Sequence, residues 1–89
     1  MKEVVTSAAN PKIKNVVKLL EKSSERKKQD LIVIEGEREI FLARQSGFEI
    51  NTLFVCEEVA GKTDFENCVF ISKNVFDKIA YRENSDGLI

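Results

Sequence analysis

The sequence predicts an α/β fold, a three-layer α/β/α sandwich around a mostly parallel central sheet. Short β-branched and aromatic runs alternate with stretches of helical period, the pattern of βαβ units closed by right-handed crossovers. The first such run, Leu31-Ile32-Val33-Ile34, is apolar throughout, as in a strand buried on both faces. No Gly-, Ser- or Pro-rich linker and no internal repeat divides the 89 residues, which reads as one domain over residues 1–89.

The elements follow in order. Asn10-Pro11 starts the first helix, with an Asn oxygen to cap it and a Pro whose missing N–H is harmless at the first helical position. Ile13, Val16, Val17 and Leu20 follow the i, i+3, i+4, i+7 spacing of a core-facing stripe, and the helix is expected to reach about Lys22. Lys14, Lys18 and Lys22 recur every four residues and, at about 100° per residue, centre roughly 150° from that stripe. Residues 23–30 are polar throughout and read as a loop holding Arg26-Lys27-Lys28. After the strand at residues 31–34, Gly36 permits a tight turn into a helix over residues 37–45, which Gly47 ends. Residues 50–56 and 68–71 read as two further strands. Ser72 caps a third helix, from Lys73 to about Tyr81, that buries Val75, Phe76 and Ile79. Gly87-Leu88-Ile89 reads as the opening of another strand. The aromatic residues Phe41, Phe48, Phe54, Phe65, Phe70, Phe76 and Tyr81 are expected mostly in the core, and Cys56 and Cys68 as buried, unpaired thiols in neighbouring strands.

Composition narrows the chemistry. With two Cys and no His, the chain lacks the roughly four ligands of a structural zinc site, so no metal is expected. The absence of His also excludes Ser/His/Asp, Cys/His and His-Glu-x-x-His mechanisms. No apolar run approaches the roughly 20 residues of a membrane span, and no secretory leader is visible, so a cytoplasmic protein without a membrane partner is expected. The net charge of −1 hides an asymmetry, because residues 1–30 hold eight basic and four acidic residues. A locally basic surface on an acidic chain is what steers a polyanion.

The run Thr6-Ser7-Ala8-Ala9-Asn10-Pro11-Lys12-Ile13-Lys14, then Arg26-Lys27-Lys28, then a hydrophobic strand ending in Glu35-Gly36, resembles the substrate-binding domain of the SpoU/TrmH family of RNA ribose 2′-O-methyltransferases. Order and spacing both match over essentially the whole chain. The resemblance implies the fold of ribosomal protein L-thirty-e and a knotted SPOUT catalytic domain after residue 89. That domain would hold S-adenosylmethionine, the catalytic arginine and the dimer interface. No cofactor and no catalytic residue is then expected in this chain, which would be monomeric by itself and belong to a homodimeric enzyme. Leu31 stands where the family commonly has an aromatic, and Glu83-Asn84-Ser85-Asp86-Gly87 lacks the Thr and Pro-Gln often found before that Gly.

The implied partner is structured RNA, rRNA or tRNA, and the candidate contacts are Asn10, Lys12, Lys14, Lys18, Lys22, Arg26, Lys27 and Lys28. Such cations give affinity and orientation through phosphates rather than sequence readout. Arg26 stands out because a guanidinium can fork onto a phosphate, although it could instead pair with an acid such as Glu35. Asn10 reads first as a helix cap. Glu35 reads as a structural carboxylate facing Arg38 or Arg26 rather than a general base, and Glu37 and Glu39 already occupy the positive end of the following helix. Two rival readings remain: a stand-alone ribosomal-protein-like RNA binder, and a protein interaction module with a basic face.

Overall fold

A computed structural model describes residues 3–61, 67–81 and 86–89. Phe65 therefore lies outside the described residues, as do Lys2 and Glu83-Asn84-Ser85. The elements run β1 (Val4–Val5), α1 (Pro11–Glu21), α2 (Ser23–Gln29), α3 (Glu37–Gln45), β2 (Leu53–Val55), α4 (Glu57–Ala60), β3 (Cys68–Ile71) and α5 (Lys73–Ile79).

The strands form a parallel sheet in the order β1-β3-β2. Val4 pairs with Phe70 and Val5 with Ile71, while Leu53, Phe54 and Val55 lie opposite Cys68, Val69 and Phe70. Leu88 adds an antiparallel bridge to Val55 on the other side of β2.

Because successive strand residues point to opposite faces, the sheet divides the apolar residues into two sets. Phe54, Cys56, Ile71 and Ile89 face Ile13 and Val16 of α1 and Val75, Phe76 and Ile79 of α5. Leu53, Val55 and Leu88 face the other way, toward Ile40 of α3 and Ala60 at the end of α4. Helices thus cover both faces, which is the predicted three-layer arrangement.

Several local expectations change. Polar residues 23–30 are mostly helical: α2 buries nothing fully, and it forms because its inner side chains bond to α1. The buried stripe of α1 is Ile13, Val16 and Leu19, with Val17 and Leu20 only partly covered, so it is rotated toward Leu19. The helices end at Glu21 and Ile79, slightly earlier than expected. β1 and α4, at two and four residues, are too short to leave a periodic signal. Residues 31–34 form no ladder with another described strand, and Ile32 is 51% exposed. Phe54 and Phe76 are core residues, whereas Phe41, Phe48 and Tyr81 are exposed. Cys56 is buried and Cys68 partly so, both as free thiols.

Glu35 is the one fully buried charged residue among those described. Its described hydrogen bonds are made with Tyr81. One carboxylate oxygen accepts from the Tyr81 backbone N–H at 2.7 Å, and the Glu35 N–H donates to the Tyr81 hydroxyl at 2.8 Å. The next residue, Gly36, with φ 107°, turns the chain into α3 and donates its N–H to the Leu88 carbonyl at 2.9 Å. This network ties the chain before α3 to the chain after α5, a structural role for the carboxylate.

Gly87 has the same kind of constraint. Its φ is 88°, and an added Cβ would meet the Ala60 backbone nitrogen at 2.7 Å and the Cys56 carbonyl oxygen at 2.9 Å. Gly87→Ala is therefore expected to lose about 2–4 kcal/mol of unfolding free energy, from the positive φ and from overpacking against backbone that cannot yield. Urea unfolding of both proteins measures the difference, and a loss below about 0.5 kcal/mol would show that the contact relaxes freely.

Candidate nucleic-acid interface

The candidate residues lie along α1 and α2, from the cap of α1 to the outer side of α2. Asn10 caps α1, its side-chain oxygen accepting the Lys12 N–H at 2.9 Å, and Pro11 takes the first helical position. At the far end Lys22 is an extended residue that closes α1 and opens α2, so the two helices meet without a connecting loop. A joint of one residue leaves the corner angle to be fixed by side chains.

Two contacts fix it. Arg26 turns inward, and its Nη1 donates to the Leu19 carbonyl at 2.6 Å and the Leu20 carbonyl at 3.4 Å. These carbonyls belong to the last turn of α1, the negative end of the helix dipole, where a cation is favoured. Asn15 and Gln29 exchange amide hydrogen bonds of 3.0 and 2.9 Å, and Gln29 also donates to Glu25 at 3.2 Å. The inner face of α2 is therefore Glu25, Arg26 and Gln29, which leaves Lys27 and Lys28 exposed on its outer side.

On α1, Lys14 and Lys18 are exposed and lie opposite the buried stripe, with Lys22 exposed at the joint. Lys18 is three residues from Asn15, hence a helical neighbour of the position where α2 docks. Lys12 is exposed in the first turn of α1, away from the joint, and lines a groove with Asn15 and Arg26. The structure therefore brings Lys18, Lys22, Lys27 and Lys28 to one corner, sets Lys14 further along the same row, and separates Lys12. Among the described residues no ion pair engages any of these six lysines; the ion pair present joins Lys73 and Asp77 on α5. Arg26 differs from them, because its partner is helix backbone. The signal for that role was a basic residue just beyond a helix C-terminus.

Among the described residues no helix is long and apolar enough to cross a membrane. A model of the MRM3-like substrate binding domain family matches residues 10–89. The crystal structure of an RNA 2′-O ribose methyltransferase is similar with a TM-score of 0.78 and 33% sequence identity, over 97% of this chain and 35% of that one. The chain thus spans about a third of the length of that solved structure. No curated protein sequence matches it.

Removing the Arg26 guanidinium strands part-buried carbonyls at the end of α1. Arg26→Ala is expected to cost about 1–3 kcal/mol of stability, whereas Lys27→Ala on the outer face stays within about 0.5 kcal/mol. Denaturant unfolding of the two variants checks this, and equal stabilities would remove Arg26 from its structural role.

Proposed function

Since the chain belongs to the MRM3-like substrate-binding domain family, we propose that it is the RNA-capturing domain of a ribose 2′-O-methyltransferase that uses S-adenosylmethionine. Structured RNA, rRNA or tRNA, binds the α1–α2 corner. Lys14, Lys18, Lys22, Lys27 and Lys28 meet phosphates, with Lys12, Asn10 and the remaining donors of Arg26 at the margins. The methyl donor, the reacting ribose and the catalytic arginine belong to a separate SPOUT domain of a longer, homodimeric, cytoplasmic enzyme. These residues take no part in the methyl-transfer chemistry, and the domain taken alone is a monomer.

One observation carries the reading. Five exposed lysines with no acidic partner among the described residues stand on two helices locked together by Arg26 and by the Asn15–Gln29 pair. A solvated lysine face needs no such rigid base. Fixed spacing matters for a folded polyanion, whose phosphates are themselves fixed, and such RNA is read mostly by shape and backbone.

Titration with a structured RNA over a range of salt concentrations tests it. Each lysine that neutralises a phosphate contributes about 0.7–0.9 to the slope of log K against log salt. Replacing Lys27 and Lys28 together by Ala is expected to lower that slope by about 1.4–1.8, with unchanged thermal stability. An unchanged slope would take these residues out of the interface, and binding to an acidic protein but to no RNA would favour the interaction-module reading.

A further inference from the structure

α3 covers one face of the sheet without fully burying any residue of its own. Ile40, partly buried, packs against Leu53, Val55 and Leu88, whereas Phe41 and Leu42 on the outer side are 59% and 48% exposed. A helix of nine residues is marginal in water without tertiary support. How its ends are fastened therefore decides whether it stays closed.

The two ends differ. At the C-terminal end the Gly47 N–H donates to the Arg44 carbonyl at 3.1 Å and the Phe48 N–H to the Ala43 carbonyl at 3.0 Å. These bonds stay within the segment. At the N-terminal end Gly36 stands in the capping position and has no side chain to offer. The cap comes instead from a residue 49 positions away, Asp86, whose Oδ2 accepts the Glu37 N–H at 2.8 Å. Its Oδ1 accepts the Leu88 N–H at 3.3 Å, so one carboxylate bridges the start of α3 and the chain beside β2. A carboxylate is favoured at this positive end of a helix. Glu37 and Glu39 in the same turn oppose it by like charge, which makes the contact one that can be released.

Gly36, with φ 107°, and Gly47, with φ 99°, bound the helix on either side. Glycine at an element end absorbs a backbone rotation at little cost. The bond from the Gly36 N–H to the Leu88 carbonyl lies on the near side of the first glycine and survives if α3 moves away. The bond from Glu37 to Asp86 lies on the far side and must break.

We infer that α3 is a hinged lid over the second face of the sheet, pivoting between Gly36 and Gly47 and held shut by the Asp86 carboxylate. Opening uncovers Leu53, Val55 and Leu88, and the released helix, too short to persist, gives up its own hydrogen bonds. α1 packs on the opposite face and takes no part. RNA plays no part in the readout either, so this inference and the RNA reading stand or fall separately.

Thiol modification, read residue by residue by mass spectrometry, tests it in the variant Val55→Cys. That substitution sets a thiol next to Cys56 in sequence but on the opposite face of the sheet. The introduced thiol is expected to react at least about tenfold faster than Cys56, because it waits only for local opening and Cys56 waits for global unfolding. Its rate should be nearly independent of urea at low concentration, since local opening exposes little surface, while that of Cys56 rises steeply. Amide exchange from Phe41 to Gln45 in the unsubstituted chain should follow the same local route. Asp86→Ala is expected to raise both local rates about fivefold, the usual effect of a lost helix cap, and Asp86→Asn, whose amide oxygen still accepts, to leave them nearly unchanged. Equal reactivity and equal urea dependence of the two thiols, or no response to Asp86→Ala, overturns the inference. Fast reaction of the introduced thiol with the α3 amides still protected also overturns it, because access would then come from fraying of residues 87–89.

Discussion

The geometry of the basic corner depends on one guanidinium. Arg26 reaches back from α2 to the Leu19 and Leu20 carbonyls, and in doing so it neutralises the end of α1 and sets the angle at which α2 leaves. Without it the one-residue joint at Lys22 has the Asn15–Gln29 amide pair alone to set its angle. The positions of Lys27 and Lys28 relative to Lys18 and Lys22 follow from that contact and from the Asn15–Gln29 amide pair beside it. One cation is thus used internally so that its neighbours can be displayed at fixed spacing.

A second constraint organises the sheet. The bonds from Gly36 to Leu88 and from Glu35 to Tyr81 bring the middle and the end of the chain together, across more than 40 residues of sequence. The Tyr81 N–H donates to the Glu35 carboxylate while the Tyr81 hydroxyl accepts the Glu35 backbone N–H, and a buried polar group is held by such partners. The α1–α2 corner rests on one face of this sheet through Ile13 and Val16. Lys12, Asn15 and Arg26 line one groove together with residues 31–34, so the proposed RNA face adjoins it.

Much of this was legible in the residues. The capped start of α1 at Asn10 and Pro11, the buried faces of α1 and α5, and the turn at Gly36 each follow from a local rule of spacing or backbone geometry. The exposure of the lysines followed from their four-residue repeat. What was not legible depended on tertiary contacts. α2 has no apolar period, and its polar inner face makes sense only once Asn15 and the α1 carbonyls are its partners. Arg26 was read as a surface charge because sequence alone does not show which way a side chain turns at a one-residue joint. Phe41 and Phe48 were read as core because aromatic side chains usually are, yet the two faces of the sheet are filled by other residues. Residues 31–34 carry the composition of a strand but pair with no other strand among the described residues.

The central claim is that the α1–α2 corner is the surface that meets RNA. Mapping backbone amide chemical shifts of the labelled protein as it is saturated with a structured RNA tests this most directly. The account predicts changes concentrated between Lys12 and Lys28, with α3 and α5 unaffected. Changes centred on α3 or α5, or none at low salt, would contradict it.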